Sequence, residues 1–385
     1  MKYPIYLDNQ STTPCDPRVV DKMLPYFTEK FGNSSSVSHV YGRDAQAAVA
    51  EAQKHVASLI GADDPKSIFF TSGSTESNNI AVKSVMLGSP AGTHCITTAA
   101  EHKAILDPFE FLKTKEYRTS TLPVDQFGRV SKSDIVNSIE EETLLVSTIF
   151  ANNEIGTIND INQISQTCKD HDLLLHTDAT QAVGRTPINC VLSNIDMLSL
   201  SGHKLYGPKG IGALYIRKRA RGIKLEPLLH GGGHQGKVRS GTLPVALIVG
   251  LGEACRIAKD EYDKDFEHSK KLSQIITDEL TSMINGIQFN GHPTERITTN
   301  VHATIPGVNS EALIHLLKDK VAFSTGAACT TAAPEPSHVL LAIGKSKEAI
   351  KSSFRIGIGR FSSQGEIKNA ITYIAEAANS LLRFK

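Results

Sequence analysis

Lys204 stands in Ser199–Gly212, SLSGHKLYGPKGIG, where an apolar segment from Ile195 to Leu200 runs into Ser201-Gly202 and a His-Lys pair before two glycine turns. An amine at a strand terminus, fenced by small residues, has room for a covalent adduct. It can condense with an aldehyde cofactor as a Schiff base once its surroundings deprotonate it; the same pattern also suits a plain loop lysine. Asp178 follows the apolar run Leu173-Leu174-Leu175-His176-Thr177. A carboxylate there can keep a pyridinium nitrogen protonated, which turns a pyridoxal ring into an electron sink, or it can cap the next helix.

Other candidates sit at equivalent places. Thr71-Ser72-Gly73-Ser74-Thr75-Glu76 follows an expected strand and opens an expected helix. Unsatisfied N–H groups and small hydroxyls there make a phosphate cradle, or an ordinary cap. His102, in Ala100-Glu101-His102-Lys103, can stack on a flat cofactor or move a proton, or simply be solvated. Asn153, in Asn152-Asn153-Glu154, can hydrogen-bond a ring hydroxyl or a substrate carboxylate, or belong to a turn. Arg355, in Ser353-Phe354-Arg355-Ile356-Gly357, falls within an expected strand and needs a partner there; a substrate carboxylate matches its fork. Cys329 lies in a run of small residues, Ser324 to Ala333. A thiol with a pKa of about 8.5 is a usable nucleophile if an acid or base is close, and otherwise a bystander. The other five cysteines lie in apolar or helical contexts that suit a small buried side chain.

The run His230-Gly231-Gly232-Gly233-His234-Gln235-Gly236-Lys237 imitates three motifs and completes none. Its GxGxxG has no strand before it and no clear helix after it. Val238 replaces the Ser or Thr of a Walker A loop, and the chain has no GxSxG to go with a lipase-type HGGG. It reads as a glycine loop leading into Arg239-Ser240-Gly241-Thr242.

These residues need elements to hold them. A short strand from Ile5 to Leu7 precedes a helix from Asp16-Pro17 towards Lys30 and a second helix from Asp44 to Gly61. Strands and helices then alternate. Strands are expected over 67–71, 94–98, 144–149 and 173–176, then up to 200 and over 213–216, with helices after Ser74, after Lys103 and over 161–169. Short apolar strands separated by helices argue for a largely parallel α/β sheet covered on both faces, whose ligands bind at the carboxyl ends of the strands. A long helix from Pro244, apolar at first and charged from Lys259 to Lys271, links this part to a remainder with strands near 300–305 and 321–323 and helices over 310–318 and 364–383.

The 385 residues are 40% hydrophobic and 21% charged, as expected of a globular chain with two domains. Forty-one basic against 40 acidic residues provide no global field for nucleic acid or anionic membranes. The six cysteines form no CxxC, so neither a metal site nor a disulfide framework is expected. MKYPIYLD lacks a signal-peptide core, and no apolar run approaches the ~18 residues of a membrane span. A cytoplasmic location is expected.

Taken together, IYLDNQSTTP, FTSGSTESNN, EHKAIL, NNEIGT, HTDATQAVG, SLSGHKLYGPKGIGAL, HGGGHQGKVRSGTLP, STGAACTTAAPEPSHVL and FRIGIGR resemble the cysteine desulfurases of the NifS/IscS-like group. These form part of the class V aminotransferase branch of fold-type I pyridoxal phosphate enzymes. The resemblance runs nearly end to end. It implies a large domain over 14–257 with a mostly parallel seven-stranded sheet, and a smaller α+β domain from 1–13 and 258–385 carrying a mobile catalytic-cysteine loop at about 324–336.

It also implies roles. Lys204 carries pyridoxal 5'-phosphate and moves the Cα proton. Asp178 pairs with the ring nitrogen, His102 stacks on the ring, and Gln181 and Asn153 surround its hydroxyl side. Ser74, Thr75, Ser201 and His203 bind the phosphate, with Thr242 of a neighbouring subunit completing the site in a homodimer. Arg355, with Asn153, holds the carboxylate of L-cysteine. Cys329 takes the sulfur as a persulfide, leaving alanine, and passes it to an acceptor protein for iron–sulfur cluster assembly, tRNA thiolation or DNA phosphorothioation. The cysteine loop reads STGAACTT where the group more often has SSGSACTS, and the chain ends soon after its last helix where housekeeping members run on into a scaffold-docking tail. The alternatives within that resemblance are an aminotransferase or selenocysteine lyase of the same fold, and a sulfur-carrier or scaffold subunit that keeps the fold without chemistry.

Overall fold

The computed structural model describes residues 3–221, 224–325 and 336–383. Twelve strands form among them, in chain order β1 (Ile5–Tyr6), β2 (Ile68–Thr71), β3 (His94–Thr98), β4 (Arg118–Leu122), β5 (Thr143–Ile149) and β6 (Leu174–Asp178). They continue with β7 (Met197–Ser201), β8 (Gly212–Ile216), β9 (Gln288–Phe289), β10 (Asn300–Thr304), β11 (Val321–Ala322) and β12 (Ser353–Gly357). Seven make one sheet in the order β2-β8-β7-β6-β5-β3-β4. β8 runs antiparallel to β2 and β7, and every other pairing is parallel. Apart from β8 all strands therefore point the same way, and the carboxyl ends of β2, β3, β5, β6 and β7 share one edge.

The alternation of side chains along each strand splits the core into two layers. Ile68, Phe70, Ile96, Val146, Leu175, Leu198, Ala213 and Tyr215 pack on one face, together with helices Val40–Ile60, Ile161–Asp170 and Val245–Asp260. Their immediate neighbours Phe69, Cys95, Leu145, Leu174, Met197, Leu214 and Ile216 pack on the other, against Ile80–Met86 and helix Lys103–Lys113. Strands buried on both faces need helices on both, which is the expected α/β architecture. A separate core joins Leu7 to apolar residues between Leu272 and Ala378, around the antiparallel sheet β12-β10-β9 and the parallel pair β1-β11. No helix among the described residues is long and apolar enough to cross a membrane.

The structure departs from the sequence reading in places with identifiable causes. β4, RTSTL, lies outside the expected strands because its residues are mostly polar and only Leu122 is buried, as an edge strand permits. The helix expected from Asp44 begins four residues earlier at Val40, because the His39 ring accepts the Gly42 N–H and supplies an unorthodox cap. The helix from Pro17 stops at Met23 and a new one starts at Pro25, whose ring suits a first helical position. The long helix from Pro244 is two, Val245–Asp260 and Tyr262–Met283, broken where Glu261 leaves helical geometry (φ −105°, ψ 11°).

Helices Val40–Ile60 and Val245–Asp260 cross closely because Gly252 faces Ala52; a Cβ there would lie 2.7 Å from the Ala52 Cα. Gly252→Val should lower stability by ~1–3 kcal/mol through overpacking. Gly365→Ala, near the start of helix Gln364–Arg383 with nothing within 4 Å of the new methyl, should hold or raise it by up to ~1 kcal/mol. Urea midpoints read both; a Gly252→Val midpoint equal to the parent's would refute the close crossing.

Candidate active site

The shared strand edge gathers the candidates. Ser74 follows β2, His102 follows β3, Asn153 follows β5, Asp178 ends β6, and Lys204 ends a turn of 3-10 helix, Gly202–Lys204, directly after β7. β8 returns at the same edge, where Gly212 meets Gly73: a Cβ on Gly212 would lie 2.7 Å from the Gly73 Cα. This backbone-to-backbone approach seats the start of helix Ser74–Asn79 beside Ser201, whose Oγ would lie 3.7 Å from a Cβ on Gly73. No side chain caps that helix start. Its first N–H groups with the Ser74 and Ser201 hydroxyls make a donor set suited to a phosphate. Thr75 is exposed beside them.

Asp178 is buried, with Oδ2 accepting from Asn78 Nδ2 at 2.7 Å and Oδ1 from the Thr180 N–H at 3.0 Å. The carboxylate thus caps the following turn and is also held by an amide on the first turns after Ser74. Asn78 is not among the candidates the sequence offers, although its place one helical turn after Ser74 in STESNN marks it as a neighbour of the same edge. His102 caps its own helix, Nδ1 accepting from the Ala104 N–H at 3.0 Å, so its proton belongs on Nε2. Burial lowers its pKa, opposed by Asp178 and reinforced by Lys204, which keeps the ring neutral and both of those groups within electrostatic reach. His203 is pushed down to about 4 by burial and then by Lys204, Lys209 and Arg185, and its Nδ1 lies 3.1 Å from Thr12 Oγ1.

The N-terminal segment after β1 crosses this edge. Thr13 N–H donates to the His203 carbonyl at 2.9 Å, and Lys204 Nζ donates to the carbonyls of Gln10 (2.5 Å) and Ser11 (2.7 Å). Gln181 Nε2 donates to the same Gln10 carbonyl at 3.0 Å, while Gln181 Oε1 accepts from Arg185. Arg185 also donates to the Lys204 carbonyl at 3.0 Å. Burial lowers its pKa to about 10, so its charge is carried by carbonyls and an amide at the base of the lysine. Nothing in the local sequence marked Arg185.

Arg355, on β12, is almost fully buried. It donates through Nη1 to the Asn153 carbonyl at 2.8 Å and through Nη2 to Asp8 Oδ1 at 3.0 Å and Ser11 Oγ at 2.9 Å. The buried Asn153 Oδ1 has no partner among the described residues. Next to Asn153, Glu154 is pushed up to about 7 by burial, against a hydrogen bond from Ser337 and the Arg355 charge. Glu101, beside His102, is pushed up to about 8 by burial, against hydrogen bonds from Thr98 and the Ile149 N–H. Thr242 is exposed, on a segment fastened to the edge of β2: Gln235 accepts from the Phe70 N–H at 2.6 Å and donates to its carbonyl at 2.9 Å, and Arg239 pairs with Glu76 at 2.8 Å. Cys329, with most of its loop, lies outside the described residues. Of the other cysteines, Cys95, Cys168, Cys190 and Cys255 are buried and Cys15 is half-buried.

These groups fit a phosphorylated pyridine aldehyde: a buried carboxylate for the ring nitrogen, an amine at the strand end, a neutral imidazole, orphaned Asn153 Oδ1 and Thr180 Oγ1 atoms, and an uncapped helix start for the phosphate. The aminotransferase class-V family matches residues 5–369. A cysteine desulfurase IscS of Rickettsia bellii is 44% identical over 98% of this chain and 92% of its own length. Among solved structures, a NifS-like protein superposes with a TM-score of 0.90 at 32% identity, covering 99% of this chain and all of that one. SspA in complex with cysteine reaches a TM-score of 0.82 at 33% identity, over 93% and 100% of the two chains. The chain belongs to the class-V aminotransferase family and, within those pyridoxal phosphate enzymes, to the cysteine desulfurases of the NifS/IscS-like group.

Proposed function

We propose that this desulfurase removes sulfur from L-cysteine with Lys204 and Cys329 in separate roles, and hands it to a thiol of an acceptor protein. The observation that carries the first half is the convergence of Lys204, Asp178 and His102 at the ends of β7, β6 and β3. When bound there, pyridoxal phosphate supplies an electron sink for charge at the substrate carbon. Lys204 holds the cofactor, and its Nζ takes the substrate Cα proton. Asp178, fixed by Asn78, keeps a proton at the ring nitrogen; His102 covers the ring; Asn153 and Gln181 face its hydroxyl side. Ser74, Thr75, Ser201 and His203 bind the phosphate, while Arg355 and Asn153 orient the α-carboxylate.

Cys329 carries the second half. Its thiolate attacks the sulfur of L-cysteine: an S–S bond forms, the Cβ–S bond breaks, and its electron pair goes to carbon. That carbon takes a proton, giving L-alanine and a Cys329 persulfide. The acceptor protein then draws the outer sulfur into iron–sulfur assembly, tRNA thiolation or DNA phosphorothioation.

We further propose a cytoplasmic homodimer in which Thr242 reaches the phosphate of the neighbouring subunit. Support comes from its exposure on a segment fastened at the sheet edge, and from the exposed apolar side chains of Leu24, Phe27, Phe31, Val40 and Tyr41, which suit a covered face. The separate cores support a division into a large body, 14–257, and a small one from 1–13 and 258–385, although Ala258 and Ile297 pack in the larger core.

Lys204→Ala should cut alanine formation by ~10²–10⁴-fold or more from the lost proton transfer alone, with the circular dichroism spectrum unchanged; retained turnover would refute its role. Cys329→Ser should still bind pyridoxal phosphate, read by its visible absorbance, yet release no sulfide from L-cysteine. Sulfide release at the parent rate would end the persulfide route.

A further inference from the structure

Arg355 already has a carboxylate on it. The segment after β1 runs alongside the end of β12: Asp8 bridges Gly357, the Gly357 N–H donates to the Leu7 carbonyl at 2.7 Å, and Asn9 Nδ2 donates to the Gly357 carbonyl at 2.9 Å. Only glycine permits this approach, since a Cβ at position 357 would lie 2.6 Å from the Asn9 nitrogen. The backbone on either side of Asp8 is therefore pinned, and its side chain is delivered to the Arg355 guanidinium, with 21% of the Asp8 side chain still exposed against 4% for Arg355.

The donor count is restrictive. A guanidinium has five N–H groups, and a carboxylate forks either across Nη1 and Nη2 or across Nε and Nη2. Both forks use an Nη2 hydrogen. Here Nη2 serves Asp8 Oδ1 and Ser11 Oγ, Nη1 serves the Asn153 carbonyl, and Nε is buried without a partner among the described residues. Any forked ligand must take an Nη2 hydrogen from Asp8 or Ser11. Ser11 can keep its place, because a hydroxyl that accepts from Arg355 still has its own proton to donate to a second oxygen. Asp8 is an anion, acceptor only, and repels an incoming carboxylate.

We propose that Asp8 is a resident competitor for the substrate-carboxylate position: it turns off Arg355 when an amino acid binds and returns when the product leaves. This rests on the reading of Arg355 as the carboxylate clamp. Asp8 then sets how tightly every carboxylate is held, product alanine included, and its return to Arg355 assists release. The displacement cost is the same for each such ligand, so removing the charge tightens all of them by a common factor.

Calorimetric titration of the pyridoxal-phosphate-loaded protein with 3-mercaptopropionate and with L-alanine tests this. For Asp8→Asn, whose amide oxygen can still accept from Nη2, both Kd values should fall together, by roughly 3–10-fold for one like-charge contact relieved. Asp8→Ser should do the same and serves if the amide variant fails to fold. Arg355→Gln should weaken both ligands. If Asp8→Asn and Asp8→Ser leave affinity unchanged or weaken it while Arg355→Gln abolishes binding, Asp8 is a mere support and the competitor role is overturned. If Arg355→Gln binds as well as the parent, the clamp reading itself fails.

Discussion

Five strands that run the same way cannot avoid bringing their carboxyl ends to one edge, and the rest of this structure follows from that constraint. Parallel ladders fix the direction of β3, β5, β6 and β7, and the single antiparallel insertion of β8 returns β2 to the same direction. Each strand end is followed by a turn whose backbone groups have left the ladder, and polar side chains there can face a ligand without interrupting the apolar layers on either side of the sheet. Ser74, His102, Asn153, Asp178 and Lys204 occupy five such ends.

Burial at this edge decides which groups are charged. Glu101 and Glu154 are pushed up to about 8 and about 7, and His102 and His203 are pushed down. Charge at neutral pH is thereby thinned around a few positions that have specific partners: Asp178 with the Asn78 amide and the Thr180 N–H, Arg355 with Asp8, and Arg185 with carbonyls. A neutral imidazole can lie against a ring without competing for its substituents. Isolating the carboxylate of Asp178 in this way suits it to a pyridine nitrogen.

The N-terminal segment ties the smaller core to the site edge. Leu7 packs with the smaller one, while the residues after it hydrogen-bond to Lys204, His203, Gln181 and Arg355 in turn. A change at one end of this strap is thus felt by the amine and by the guanidinium. Gly357 makes that passage possible, as Gly212 does at the opposite side of the edge.

Much of this was legible in the residues. Strands expected over 67–71, 94–98 and up to 200 form at 68–71, 94–98 and 197–201, the helices between them followed from spacing, and the candidate lysine, aspartate and histidine stood near strand ends where ligands of such sheets bind. β4 was not legible, since a polar edge strand has no hydrophobic period to read, and neither was Arg185, whose place depends on the backbone carbonyls of Asn9 and Lys204 that only the folded chain brings to it. Residue types and their place relative to expected strands were enough to name the candidate chemistry, because they set what can react. Which donors and acceptors are already engaged depends on contacts that form only when distant segments pack together. Asp8 and Arg355 are 347 residues apart, and their pairing exists because two strand ends from opposite ends of the chain lie side by side.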